Sequence, residues 1–122
     1  MNELTLHLKL PKTISLNALY AGKHWTFRKK IKDEYKKIVE TELGNFDKYH
    51  FDSFKITIKY NYNQDIDNVV LVSKFVSDTL VANNWVDDDS PKYYKELKII
   101  YDAEIEKNYC QVIVYGKGVS EM

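Results

Sequence analysis

Residues 54–62 constrain this chain more than any other stretch. Phe54, Ile56, Ile58, Tyr60 and Tyr62 fall on one side, and Lys55, Thr57, Lys59 and Asn61 on the other. A period of two over that length is a half-buried strand. Only five residues, Asn63-Gln64-Asp65-Ile66-Asp67, separate it from a helical pattern over 68–83. There Val72, Phe75, Val76, Thr79 and Leu80 form one stripe, while Val69, Val70 and Leu71 make the first turn apolar nearly all round. Such a helix start is buried on more than one side, against the sheet and against a second subunit. The chain must therefore build a sheet with helices laid on it, and it must carry two aspartates through the corner between them.

The other segments supply the rest of those layers. Leu4, Leu6, Leu8 and Leu10 alternate with Thr5, His7 and Lys9, a strand over 4–10 that Pro11 ends, with His7 on its polar side. A long connection over 11–25 follows. It carries Lys12, Asn17, Tyr20, Lys23, His24 and Trp25: cations, hydrogen-bonding groups and rings together. Connections of this length are often functional, and this one can equally cover one end of the core with Leu16, Leu19 and Trp25. Thr26 is the expected N-cap of a helix over 27–43, with Phe27, Ile31, Tyr35, Ile38, Val39 and Leu43 inward and Gly44 as its stop. Residues 44–52 read as a polar link. Asn83-Asn84 ends the second helix, 85–91 is an acidic turn closed by Pro91, and strands follow over 96–102 and 109–115. In the third strand Leu97, Ile99 and Tyr101 point inward. Residues 116–122 read as a frayed tail. The order β-α-β-α-β-β predicts a single compact α+β domain with a mixed or antiparallel four-stranded sheet.

Composition excludes several classes. A length of 122 residues is one domain. No run of about 18 apolar residues is present, so no membrane span is expected, and the first residues do not resemble a signal peptide. One cysteine, Cys110, excludes an internal disulfide and reads as a small core side chain. The expected location is the cytoplasm. Formal net charge is zero, but its distribution is uneven. Residues 1–40 hold nine basic side chains against four acidic ones, whereas 61–90 hold one lysine, Lys74, against six aspartates. Phosphodiester chemistry needs both kinds of region: cations for the backbone and carboxylates for a metal.

If the extended parity of 54–62 persists, Asp65 and Asp67 share one face about 7 Å apart, with Ile66 turned inward. Together with an aspartate from Asp87-Asp88-Asp89 they make a hard-oxygen set suited to Mg²⁺, with Mn²⁺ as a substitute. Clustered carboxylates repel unless protonated or neutralised by a cation. The plainer reading is a solvated turn in which Asp67 or Asn68 caps the helix. No EF-hand spacing, glycine-rich phosphate loop, zinc set or nucleophile motif is present, so no organic cofactor is expected.

In order and spacing, these pieces resemble the RusA-type Holliday junction resolvases, small endodeoxyribonucleases of bacteria and phages. The likeness spans roughly 10–105. Pro11…Ser15-Leu16-Asn17-Ala18-Leu19-Tyr20 is similar to the family's Pro-Ser-Asn-Tyr signature, and Asp65-Ile66-Asp67-Asn68 to its Asp-x-Asp-Asn box. Lys74…Asp78-Thr79-Leu80 is similar to its Lys-then-Asp-Ala-Leu helix, and Asp88-Asp89-Ser90 to its Asp-Asp-(Ser/Ala) turn. The resemblance implies a homodimer that binds branched DNA and cuts four-way junctions symmetrically with Mg²⁺. It implies Asp65, Asp67 and Asp89 as metal ligands, with Asp88 the alternative to Asp89, and Lys74 as a catalytic cation. There are two departures: the acidic turn carries a third Asp, so that Asp88 and Asp89 both stand as candidates, and the lysine is shifted. The family's lysine lies four residues past the second Asp, where this chain has Leu71; Lys74 is seven past it.

Backbone contacts are assigned to Lys12, Asn17, Lys23, Arg28, Lys29 and Lys30, with Tyr20 or Trp25 as a wedge at the crossover. Two rivals remain: a protein that binds DNA structures without cutting, and a nuclease for other branched DNA such as flaps or forks.

Overall fold

The structure, a computed structural model, describes residues 2–10, 25–63 and 66–120, with the backbone alone for 25–28, 67–68 and 119–120. Its elements run β1 (Asn2–Lys9), α1 (Trp25–Leu43), β2 (Tyr49–Asn61), α2 (Ile66–Ala82), β3 (Tyr94–Tyr101) and β4 (Tyr109–Ser120). The fold is the expected α+β, in the expected order.

The sheet is mixed, in the order β1-β4-β2-β3. β4 lies antiparallel between β1 and β2, and β2 pairs with β3 in parallel. One face carries Leu4, Leu6 and Leu8 beside Cys110, Val112 and Val114, and then Ile56 and Ile58, all buried. Both helices pack there. α1 contributes Ile31, Tyr35, Val39 and Leu43; α2 contributes Val69, Leu71, Val72, Phe75, Val76 and Leu80. Each such side chain, fully buried, is worth about 1.5–3 kcal/mol. The i, i+4 row of α1 excludes Ile38, which is 44% exposed and not in the core as its spacing suggested.

Several boundaries differ from the pattern-based ones. α1 begins at Trp25, so Thr26 lies inside the first turn and does not cap it. β2 begins at Tyr49, five residues early, because a register shift between Phe51 and Ser53 joins two stretches of opposite parity. Tyr49 and Phe51 are buried before it, Phe54, Ile56 and Ile58 after it. A bulge of this kind hides a strand from a strict period-two reading. β4 likewise continues to Ser120, where a frayed tail was expected, and pairs with the added part of β2. Its glycines are a condition of that pairing: a Cβ at Gly116 would collide with the Ser53 carbonyl oxygen, and one at Gly118 with that of His50.

β3 is an edge strand. Its Leu97 and Tyr101 share the helix-bearing side with Ile56 and Tyr60, their partners in register, yet are 37% and 58% exposed. The periodicity placed them correctly by face; the absence of a further strand and the reach of α2 decide their exposure.

Candidate functional site

α2 starts at Ile66, directly after the corner. Position 67 is therefore already helical, and the extended-chain argument for a shared face of Asp65 and Asp67 does not hold. Ile66, expected inward, is 47% exposed. Asp65 lies outside the described residues, and for Asp67 and Asn68 the backbone alone is described. Position 67 falls on the α2 row 67-70-74-77, whose spacings of three and four keep a helix on one side. Val70, Ser73, Lys74 and Ser77 line one wall of an open groove of about 480 Å³; Asp89 and Tyr94 to Leu97 line the other. Position 71, where a lysine would stand by family spacing, is a core leucine only 1% exposed. In this chain the groove is reached from position 74.

The acidic turn is set by the way α2 ends. Asn84 adopts a left-handed conformation (φ 60°). The Trp85 N–H donates to the Leu80 carbonyl at 2.9 Å, and the Asn84 N–H to that of Val81 at 3.2 Å. This is a Schellman cap, with its apolar contact supplied by buried Trp85 and Leu80. Val86 then bridges to Phe51 of β2, so the three aspartates leave a fixed point.

They have different fates. Asp87 pairs through Oδ1 with His50 Nε2 at 3.1 Å, while His50 Nδ1 lies 3.0 Å from the Asn84 carbonyl oxygen. Asp88 is at the surface, and the Asp89 backbone N–H and the Ser90 hydroxyl hold its carboxyl below the ordinary aspartate value. Asp89 turns into the groove. Its Oδ2 lies 3.3 Å from Lys74 Nζ, which also sits 2.9 Å from Asp78 Oδ1. The hydrogen bond to Asp78, with lesser help from Asp89, raises the lysine pKa above 10.5. Of the two alternatives for a third ligand, Asp89 is the one aimed at α2.

Asp78, which entered the family likeness as part of the helix motif without a site role, and Tyr94, which the sequence did not mark, are parts of the groove's surroundings. Asp78 had a signal, the i, i+4 spacing to Lys74. Tyr94 had none, since only the parallel pairing of β3 brings it to α2. Among the described residues its enclosed hydroxyl has no hydrogen-bond partner in place; the Ser73 hydroxyl beside it donates to the Val70 carbonyl at 2.6 Å and keeps its acceptor sites. Burial pushes the Tyr94 pKa up to about 12. A second hollow, on the other side of β3, gathers Lys55, Lys95 and Lys117 around Tyr115.

Of the remaining expected contacts, Lys29 and Lys30 are the two whose side chains fall among the described residues. Lys12, Asn17, Tyr20 and Lys23 lie outside the described residues, and Trp25 and Arg28 are described by backbone only, in the first turn of α1. Lys29 and Lys30 are exposed on α1, and Lys29 pairs with Asp33 at 3.4 Å. Among the described residues no three histidines, cysteines or acids gather as a metal would need. The donor chemistry of Asp65, Asp67 and Asp89 still fits Mg²⁺: three carboxylates, no sulfur, and a carboxylate already turned towards a cation.

Fold and groove together define a small α+β domain with a carboxylate–lysine groove between its second helix and an edge strand. No protein-family model matches the chain, and no curated protein matches it. No helix among the described residues is long and apolar enough to cross a membrane.

Proposed function

We propose that the chain is a cytoplasmic, Mg²⁺-dependent endodeoxyribonuclease that cuts four-way DNA junctions as a homodimer. The observation that carries the reading is the meeting of Lys74 and Asp89 across one groove whose α2 wall continues to position 67. These are three of the four residues that the likeness to RusA-type resolvases implies. They stand far apart in sequence, and the likeness did not require the shifted lysine to reach the acidic turn.

Asp65, Asp67 and Asp89 would hold the ion. A bound Mg²⁺ would supply an activated water and neutralise charge on the scissile phosphate. Asp89 binds and orients at the groove wall, released by Lys74 as the lysine turns to the phosphate. Lys74 stays charged at neutral pH, with Asp78 as its second anchor. Its three donors suit a phosphate oxygen or the leaving oxygen. Lys29 and Lys30 hold the DNA backbone from α1.

A reading from another class is favoured by one detail: the Asp89 carboxylate already has a cation, the Lys74 ammonium. A protein that binds branched DNA and leaves it uncut would keep that ion pair. The two separate on a synthetic four-way junction incubated with Mg²⁺, with flap and duplex controls. Symmetric nicking that Asp65→Asn abolishes supports the nuclease. Binding without cutting in Mg²⁺ or Mn²⁺ supports the rival, and an Asp65→Asn chain that cuts fully while folded would falsify the metal assignment.

A further inference from the structure

The two edges of the sheet are finished differently. On β1, the outward His7 N–H donates to Glu42 Oε1 at 2.8 Å, and the outward Lys9 carbonyl accepts from the Tyr35 hydroxyl at 2.9 Å. α1 thus caps that edge with side chains. Among the described residues β3 pairs with β2 alone. The Asp102 N–H donates to the Tyr60 carbonyl, which fixes the parity of the strand. By alternation, Lys98 and Ile100 turn their backbone groups to β2, and Leu97, Ile99 and Tyr101 turn theirs outward. Leu97, Ile100 and Tyr101 are also exposed apolar side chains. An open, apolar edge of this kind is a template for another strand.

We infer that the β3 edge pairs with a second copy of itself, antiparallel across a two-fold axis at Leu97. Outward backbone groups must meet outward ones, so the axis passes through a residue and not between two. An extra residue at Lys95 interrupts the pairing of β3 with β2, so the alternation runs from Glu96 onward, and the two axes nearest the middle of Tyr94–Tyr101 are Leu97 and Lys98. An axis at Lys98 puts that lysine opposite itself, a like-charge contact that opposes pairing. An axis at Leu97 puts each Glu96 opposite the Lys98 of the other copy, and Leu97 opposite Leu97. Glu96 and Lys98 already share one face, with Oε1 and Nζ 3.3 Å apart. Charge complementarity therefore selects one register. The pairing is isologous and joins the two sheets with all helices on one side. Leu97 also lines the groove that holds Lys74 and Asp89, so the two grooves flank the axis and open on the same face. The inference deepens the junction-cutting reading, which needs two copies of one site.

The test is sedimentation equilibrium of the full chain over a micromolar series, for the wild type, Glu96→Lys, Lys98→Glu and the double exchange. The wild type should dimerise. Each single reversal should weaken association by about tenfold, and the double exchange should restore it. Leu97→Pro should be monomeric with an unchanged circular dichroism spectrum, because an edge strand tolerates proline where its N–H faces solvent. A monomeric wild type, single reversals that associate as tightly as the wild type, or a double exchange that fails to recover would each overturn the inference. Should the variants unfold, amide exchange of the wild type decides: protection at Leu97 and Ile99 must rise with concentration. A dimer that cuts no junction would leave this interface standing and sink the nuclease. Cutting by a chain that stays monomeric would do the reverse.

Discussion

β1 and β3 are the two edges of one sheet, and the chain treats them in opposite ways. Over β1, α1 spends two polar side chains, Glu42 and Tyr35, on backbone groups that would otherwise face water. Tyr35 is nearly buried, and its ring also lies 5.1 Å from that of Phe75 on α2, so the edge cap and the core are one structure. β3 receives no such cover from the described residues, and it borders the groove where Lys74 meets Asp89. Its surface keeps Leu97, Ile100 and Tyr101 partly in water. One edge is closed for stability. Among the described residues the other is open, beside the Lys74–Asp89 ion pair.

The sharpest way to break that contrast is to remove chemistry from the β3 side and ask whether the fold notices. If Asp89 holds the ion as proposed, Asp89→Asn should lower Mg²⁺-dependent junction cutting by at least about 100-fold, since a direct ligand matters no less than the groups behind one. Its melting temperature should move little, because Asp89 is a partly exposed side chain in a surface ion pair. A loss of cutting that only tracks unfolding would erase the distinction between the edges.

The β1 side should answer in the opposite sense. Tyr35→Phe and Glu42→Ala should each cost about 1 kcal/mol, the usual worth of one hydrogen bond, seen as a few degrees in thermal melts. Junction binding and cutting by the folded protein should stay at the wild-type level. A large functional loss without a stability loss would place α1's edge contacts in the site instead.

Much of this layout was legible beforehand, for identifiable reasons. The alternation of 54–62 and the stripe over 68–83 report burial on one side, which the local period encodes, and both elements formed with the expected faces. The first half of β2 was hidden because the bulge after Phe51 reverses the parity that the eye follows. Residues 116–120 looked like a tail because their two glycines carry no pattern, yet those glycines are what let β4 cross β2 closely. At the site, the acidic turn and Lys74 were visible as residue types. Their meeting was not, since it depends on the cap at Asn84 and on the parallel pairing of β3, both set by tertiary structure. The corner itself misled: an extended Asp-x-Asp was read where a helix already begins at Ile66.

The smallest expected effect tests how Lys74 serves the open edge. The lysine is about half exposed and held by two carboxylates, so as a stability element it is worth only about 0.5 kcal/mol. Its folded pKa lies above 10.5, raised first by the hydrogen bond to Asp78. A raised lysine contributes fully below its unfolded pKa, and the contribution is lost as pH rises through the folded value. The stability gap between wild type and Lys74→Met should therefore be constant through neutral pH and close in the alkaline range above 10.5. Chemical denaturation at several pH values reads that gap. If Lys74 neutralises Asp89 only until a divalent ion arrives, added Mg²⁺ should shrink the gap at neutral pH as well, by taking over the carboxylate. A gap indifferent to Mg²⁺ would make Lys74–Asp89 a fixed strut of the groove and favour a protein that binds junctions without cutting them.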